Sequence, residues 1–319
     1  MVIEDKLREN ATLYPDKVAL VCGEKSLTYR QLYQAIKDKA DSMGDIRGCL
    51  IPIVAYSTVD FFITYFALHL TGAVAVPLHK DIPAKKLNDY AETLEQGIVP
   101  EEVADILFTT GTTGNAKAVM ISYQTIIANA ENLVLSQGFS HDVTFIINGP
   151  LNHIGSLSKV YPTIYVGGTI HVIDGMKDIK AFFTAIDDAP NKVATFLVPA
   201  AIRILITLWK KELIAVADKI DFVETGAAPL AATDMKLFCE LLPHSRLYNT
   251  YASTETGIIS TYDYNDGANL AGCVGHKMKH SSFFITADGY VACKGKTLMT
   301  GYWNDEEATR NVLKDGVIR

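Results

Sequence analysis

The chain up to about residue 256 alternates between two periodicities of hydrophobic positions. Short apolar runs indicate buried strands, and apolar positions repeated every three to four residues indicate amphipathic helices. The predicted strands cover residues 50–55, 73–77, 106–109, 119–122, 143–148, 169–173, 193–198, 220–225 and 246–250. The predicted helices cover residues 30–43, 59–70, 123–137, 179–187 and 231–242, with another opened by Pro199. This alternation predicts parallel sheets covered by helices on both faces.

The pattern changes after residue 257, where short polar and apolar alternations with Gly and Asp turns predict antiparallel β structure. We therefore predict an α/β fold for residues 1–319, with two parallel-sheet lobes in 1–256 and a small, β-rich, distorted barrel-like lobe in 257–319. Asp315-Gly316 predicts a hairpin turn, and the strand after it stops at Arg319. We expect from this that the sequence is truncated inside its last lobe.

Composition and charge limit the classes of binding partner that we expect for this protein. The 319 residues are 49% hydrophobic and 20% charged, which is typical of a globular protein. The net charge is −7 and no Lys/Arg cluster stands out along the sequence, which disfavours nucleic acid and anionic membranes as partners. The longest uncharged run, 61–78, is interrupted by Thr71-Gly72 and Pro77. It therefore predicts a helix, a glycine cap and a strand rather than a membrane span.

The cysteines indicate a reducing compartment. They are five in number, widely spaced and without a CxxC pair, so we expect a cytoplasmic protein. One zinc-like spacing exists, formed by Cys273, His276, His280 and Cys293. A zinc site needs all four ligands to converge, and this segment predicts short strands and turns, so zinc is the less favoured alternative.

A loop of threonine and glycine follows the predicted strand 106–109, with the sequence TTGTTGNAK over residues 109–117. Small residues let backbone N–H groups approach phosphate oxygens, hydroxyls add donors, and Lys117 supplies a mobile positive charge. Two residues, rather than the four of a P-loop, separate Gly111 from Gly114, and Ala118 follows the lysine. The loop therefore predicts a phosphate site unlike that of P-loop NTPases, with a flexible turn as the alternative.

This loop and five other segments, in the same order, resemble the motifs of the adenylate-forming (AMP-binding) superfamily, which includes acyl- and aryl-CoA ligases, luciferases and the adenylation domains of peptide synthetases. The other segments are LTYRQL at 27–32, GAVAVPL at 72–78, GAAPL at 226–230, YASTE at 251–255 and GYW at 301–303. Each is weak alone, but six in series are specific. Ala252, Asn115 and Ala116 depart from the family pattern, and the segment between Leu78 and Ala104 is short enough that we expect a strand–helix unit to be missing.

The resemblance implies a site for ATP and Mg²⁺. The β- and γ-phosphates would be surrounded by Thr109, Thr110, Gly111, Thr112, Thr113, Gly114 and Lys117. Adenine would lie along Gly226, Ala227, Ala228 and Pro229 on one face and along Tyr251 on the other, with Ala252 and Ser253 beside it. Thr254 would contact the α-phosphate, and Glu255 would hold Mg²⁺, which suits a reaction that joins two anions. The alternative for Thr254-Glu255 is a helix N-cap with an acid in the first turn.

The acid site is implied by residues 149–155, GPLNHIG, which resemble the PL-x-H-x-x-G element of CoA ligases. His153 would then lie beside the substrate carboxylate as a catalytic residue, with a histidine that caps or packs on the following helix as an equal alternative. Residues 151–153 contain no anion to pair with an amino acid's ammonium group, so an uncharged acyl or aryl acid is favoured.

The resemblance implies an acid–thiol ligase that forms acyl-AMP, releases pyrophosphate and transfers the acyl group to a thiol, CoA being preferred. The alternatives are an adenylation domain that loads a carrier protein and a catalytically silent nucleotide-binding module. The family's C-terminal domain, with its catalytic lysine, and the ribose-binding Asp have no counterpart in this sequence. We therefore expect the isolated chain to be an impaired enzyme.

Overall fold

The computed structural model describes residues 2–94, 99–109, 116–266, 268, 270 and 272–319. The helices found there are α1 (Ile3–Leu13), α2 (Tyr29–Met43), α3 (Val59–Thr71), α4 (Ala84–Leu94), α5 (Tyr123–Gln137), α6 (Ile154–Tyr165), α7 (Ile179–Asp188), α8 (Pro199–Leu208), α9 (Lys210–Ala215), α10 (Ala232–Leu241) and α11 (Glu306–Val312). The strands are β1 (Val18–Cys22), β2 (Lys25–Thr28), β3 (Leu50–Val54), β4 (Val74–Leu78), β5 (Val103–Thr109), β6 (Lys117–Ser122), β7 (Thr144–Ile147), β8 (Thr169–Val172), β9 (Val193–Phe196), β10 (Ile220–Gly226), β11 (Arg246–Ser253), β12 (Gly257–Asp263), β13 (His276–Lys277), β14 (Ser281–Ile285), β15 (Val291–Gly295), β16 (Gly301–Tyr302), β17 (Leu313–Lys314) and β18 (Val317–Ile318).

The largest sheet has the order β13-β12-β11-β10-β9-β7-β8-β1-β2 in the described chain. The strands from β1 to β11 in this order pair in parallel, and the strands at both edges pair antiparallel. Phe222 packs on one face with apolar residues of α5 and α6, and Val223 packs on the other with apolar residues of α7, α8 and α10. The predicted parallel sheet with helices on both faces is confirmed.

The second sheet has the order β16-β6-β5-β4-β3. Strands β3, β4 and β5 are parallel, and β6 and β16 are added antiparallel. The connection between β4 and β5 contains the helix α4, so a helix is present in the segment that the sequence analysis expected to be shortened. This sheet matters for function because β5 ends where the TTGTTGNAK loop begins.

The third sheet, β14-β15-β18-β17, is antiparallel throughout. Asp315 and Gly316 both have positive φ, 51° and 71°, as the central residues of a two-residue hairpin require, so the predicted turn is confirmed. The residues after 257 also extend the first sheet with β12 and β13 and the second with β16. The last part of the chain thus contributes strands to all three sheets.

A buried ionic network joins α1, α3 and β5. The imidazole of His69 lies between two carboxylates, with Glu4 Oε1 2.7 Å from Nδ1 and Asp105 Oδ1 3.1 Å from Nε2. Tyr65 donates a hydrogen bond of 2.8 Å to Asp105. Desolvation opposes a charge on His69, but the two carboxylates outweigh it and raise its pKa to about 10. The network therefore contains a buried imidazolium that neutralises part of two buried negative charges.

We predict that His69→Gln lowers the free energy of unfolding by about 3–5 kcal/mol at pH 6, because two buried carboxylates lose their cation. Since folding raises the pKa of His69 above its usual 6.5, the parent holds this extra stability fully below pH 6.5 and loses it as the pH rises toward 10. Urea unfolding across this range measures both effects, with the exposed His244→Gln as control. Equal losses in the two variants, or a difference from the parent that does not vary with pH, would contradict the prediction.

Candidate active site

The Thr/Gly loop is anchored at one end of an antiparallel ladder. Thr109, the last residue of β5, pairs with Lys117, the first residue of β6. The five predicted phosphate ligands between them, Thr110, Gly111, Thr112, Thr113 and Gly114, lie outside the described residues. The structure therefore locates the two ends of the predicted loop and the half-buried Lys117 side chain.

Lys117 and Glu255 meet on opposite parts of one tyrosine. Strand β16 pairs with β6 so that Tyr302 lies opposite Val119, two residues beyond Lys117. The Lys117 Nζ atom is 4.6 Å from the centroid of the Tyr302 ring, within the range of a cation–π contact. The Tyr302 hydroxyl donates a hydrogen bond of 2.9 Å to Oε1 of Glu255. Two predicted site residues, remote in sequence, are thus brought together by a third residue that was not predicted to belong to the site.

The environment of Tyr302 favours its neutral form. The side chain is 5% exposed. Burial raises the pKa of Tyr302, and the hydrogen bond to the Glu255 carboxylate and its charge raise it further. The phenol therefore keeps its proton over the physiological pH range and acts as a hydrogen-bond donor to Glu255.

Glu255 lies in a tight turn between β11 and β12 rather than in a helix. The Ser253 N–H donates to Thr256 Oγ1 at 3.0 Å, and the Met299 N–H donates to the carbonyl of Glu255 at 2.8 Å. The alternative of a helix N-cap at Thr254-Glu255 is therefore wrong, because the antiparallel pairing of β11 with β12 makes this segment a hairpin turn. The turn holds the Glu255 backbone in one position.

The Glu255 side chain opens onto a cavity of about 310 Å³, lined by Tyr251, Ser253, Glu255, Thr256, Val291, Cys293, Tyr302, Val312, Ile318 and Arg319. The cavity brings together three predicted site residues, Tyr251, Ser253 and Glu255. A single carboxylate facing such a space fits Mg²⁺, which is usually held by one or two carboxylates, waters and substrate phosphates. Arg319 was not predicted as a site residue.

The predicted adenine segment lies at the carboxyl edge of the large sheet. Gly226 ends β10 opposite Thr250 of β11, so Tyr251 is the next residue on the neighbouring strand. The carboxyl ends of parallel strands are where open α/β sheets bind ligands. A Cβ atom on Gly226 would lie 2.8 Å from the Thr250 carbonyl oxygen, which explains the need for glycine. Ala227, Ala228, Pro229 and Ala252 are exposed at this edge.

Ala227 has a φ of 66°, in the left-handed region that favours glycine. Nothing in the residue pattern of GAAPL at 226–230 predicted that this alanine would be strained.

We predict that Ala227→Gly raises the free energy of unfolding by about 1 kcal/mol, because glycine adopts positive φ without the steric cost that alanine has. The matched control is Ala228→Gly, whose backbone does not require positive φ and which should lower stability by about 0.5–1 kcal/mol. Denaturant unfolding measures both. A loss of stability in Ala227→Gly as large as that in the control would contradict the prediction.

His153 is the N-cap residue of α6. Its ring accepts a hydrogen bond of 3.2 Å from the Gly155 N–H, which is the capping contact named as the structural alternative. Desolvation lowers the pKa of His153, although the ring remains partly in contact with solvent, so it is mainly neutral at pH 7. Among the described residues, no hydrogen bond or ion pair joins His153 to Lys117, Tyr302 or Glu255.

A second buried ion pair was missed by the sequence analysis. Lys159 of α6 contacts Glu224 of β10 at 2.6 Å, and both side chains are 1% exposed. It links the helix capped by His153 to the strand that ends at Gly226. A lysine inside an apolar helical pattern and an acid inside the strand IDFVETG were the available signals.

Three further features bear on metal, membrane and redox chemistry. Within the described residues, no three His, Cys, Asp or Glu side chains converge as a metal site. No described helix combines the length and the apolar character needed to cross a membrane. All five cysteines are described, and each is a free thiol.

Comparison with known proteins identifies related sequences and folds. The family model for the AMP-binding enzyme matches residues 7–96 and 86–303. Indoleacetate–CoA ligase of Aromatoleum aromaticum is 25% identical, over 100% of this chain and 75% of its own length. A 2-succinylbenzoate–CoA ligase of Bacillus cereus is 23% identical, over 97% of this chain and 73% of its own. The N-terminal subdomain of Klebsiella oxytoca NpsA, solved in complex with 3-hydroxyanthranilyl-AMSN, superposes with a TM-score of 0.85 at 19% identity, covering 100% of this chain and 95% of that one.

Proposed function

We propose that this chain, which belongs to the AMP-binding enzyme family, activates a carboxylic acid with ATP and releases pyrophosphate. It then transfers the acyl group to a thiol. The observation that carries the proposal is the pair Lys117 and Glu255, held on one phenol beside a cavity. A site of this reaction must neutralise a nucleotide's phosphates while a carboxylate anion approaches the α-phosphorus. A mobile cation and a metal-binding carboxylate supply that neutralisation.

Each site residue has a role in this proposal. Lys117 and the loop that precedes it bind the β- and γ-phosphates, and Thr254 contacts the α-phosphate. Glu255 would hold Mg²⁺, which would screen the phosphate charges and polarise the bond that breaks. Adenine would lie at the sheet edge between Tyr251 and the segment 226–229. The partly exposed Tyr251 ring and the exposed residues 227–229 suit a flat aromatic base.

The proposed substrate is an uncharged acyl or aryl acid. The segment Leu151-Asn152-His153 offers no carboxylate to an ammonium group. The two CoA ligases named above are ligases of indoleacetate and 2-succinylbenzoate, and neither acid carries an ammonium group. His153 is proposed to lie beside the substrate carboxylate. We propose CoA as the acceptor, with a carrier protein as the alternative, and the cytoplasm as the compartment, since the cysteines are free. In this proposal residues 1–319 form the AMP-binding domain that carries out the adenylation step, whichever thiol is the acceptor.

We predict that Lys117→Met and Glu255→Gln each lower kcat/KM for acid-dependent ATP–pyrophosphate exchange by about 10²–10³-fold, because each removes a charge that stabilises the reacting phosphates. The assay uses a panel of aryl and aliphatic acids. The exposed Lys236→Met and Glu240→Gln, both on α10, are matched controls and should retain the parent rate. Parent-like exchange in the site variants would contradict the proposal.

We predict that His153→Asn, which retains an N-cap side chain, raises the KM for the acid about tenfold while leaving thermal stability near that of the parent. His153→Ala should show the same KM and also lose about 1 kcal/mol of stability. Steady-state exchange and thermal unfolding separate the two effects. A parent-like KM in His153→Asn would restrict His153 to its capping role.

A further inference from the structure

Lys117 and Glu255 carry opposite charges on the same tyrosine, but no ion pair between them is found among the described residues. Lys117 lies over the face of the Tyr302 ring at 4.6 Å, and Glu255 accepts from the hydroxyl at 2.9 Å. The buried pair Lys159–Glu224, by contrast, is in direct contact at 2.6 Å. The phenol thus occupies the position where a lysine and a carboxylate would otherwise approach each other.

We infer that Tyr302 is a positioning residue that keeps Lys117 and Glu255 from neutralising each other and aims them separately at the nucleotide and the metal. The inference rests on the proposed function for the identity of the ligands. A direct ion pair would have to be broken before phosphates and Mg²⁺ could bind. A cation over a ring and a carboxylate on a neutral hydroxyl each keep their full charge for the ligand.

The ring is held firmly enough to do this. The Tyr302 N–H donates to Thr309 Oγ1 at 2.8 Å, and the Trp303 N–H donates to the Ala118 carbonyl at 2.8 Å. Strand pairing with Val119 fixes the backbone, and the side chain is buried. Because the ring cannot swing away, the directions of Lys117 and Glu255 are set by the fold before a ligand arrives.

The two parts of the phenol act on different ligands. The hydroxyl fixes Oε1 of Glu255 and so orients the carboxylate toward the cavity, and partners of this kind tune metal affinity. Of the two charged groups, only Lys117 lies over the ring, and so the ring acts on the phosphates. Removing the hydroxyl alone should therefore affect Mg²⁺, whereas removing the whole ring should affect Mg²⁺ and ATP together.

The test compares Tyr302→Phe with Tyr302→Leu. For Tyr302→Phe we expect the Mg²⁺ concentration at half-maximal pyrophosphate exchange to rise about tenfold, with the KM for ATP unchanged within about twofold. For Tyr302→Leu we expect both to rise about tenfold or more, since Lys117 can then reach Glu255. Tyr290→Phe and Tyr290→Leu, at a tyrosine that is 65% exposed, are controls and should leave both constants unchanged. Parent-like constants in both Tyr302 variants, or equal changes in the two, would overturn the inference.

Two readouts keep this result separate from the proposed function. Calorimetry of ATP binding at varied Mg²⁺ should show the same difference between Tyr302→Phe and Tyr302→Leu even if the chain catalyses no exchange. A lack of exchange together with this difference would count against the proposed function alone. In protein whose tyrosines carry carbon-13 at Cζ, the NMR signal that is absent from Tyr302→Phe is assigned to Tyr302. This signal should shift in the single variant Glu255→Gln and in the single variant Lys117→Met. An unshifted signal in both variants would overturn the inference, and folding of Tyr302→Leu is verified by its thermal transition.

Discussion

The antiparallel pairing of β16 with β6 is the contact on which the candidate site depends. It brings Tyr302, from the last part of the chain, onto the strand that begins with Lys117. The hydroxyl of the same residue reaches the turn that carries Glu255. Tyr302 is thus the residue through which Lys117 in the second sheet and Glu255 in the turn after β11 contact a common side chain. Residues 257–319 therefore complete the site as well as the fold.

Local periodicity was enough to predict most of the elements. Helix α5 has the predicted bounds, and the nine predicted strands, β3 to β11, fall within a few residues of their predicted positions. Buried strands and amphipathic helices have a periodicity that can be recognised without knowledge of the partner. Helix α1 and the β1–β2 hairpin were not predicted, although β1 is the apolar run VALVC. Their partners are distant in sequence, since α1 packs on α6 and β1 pairs with β8. The Ala227 conformation was also missed, because φ is set by the chain's path and not by residue type alone.

The sequence names candidate site residues, but it does not predict how they are arranged in space. The motifs named Lys117 and Glu255, and GYW at 301–303 was identified as a segment of the family, but nothing in the sequence placed Tyr302 between them. Non-local strand pairing determines that placement, and a two-residue strand such as β16 has too short a pattern to predict its partner. At Thr254-Glu255 the alternative of a helix N-cap was wrong, because β11 and β12 pair as a hairpin across this segment and make it a turn.

Two kinds of charged side chain can be distinguished, namely buried groups in direct contact and the half-buried pair Lys117 and Glu255. Glu4, His69 and Asp105 contact one another directly, as do Lys159 and Glu224, and all of these side chains are at most 4% exposed. Such groups are stable only when their partners satisfy them, which makes direct contact the expected arrangement for charges with no ligand to meet. Lys117 and Glu255 are only half-buried, and the neutral phenol of Tyr302 lies between them. Glu255 and Tyr302 also line a cavity. The buried pairs neutralise each other by direct contact, whereas no ion pair joins the half-buried Lys117 and Glu255 in the described part of the chain. Their charges are complementary to those of a magnesium nucleotide.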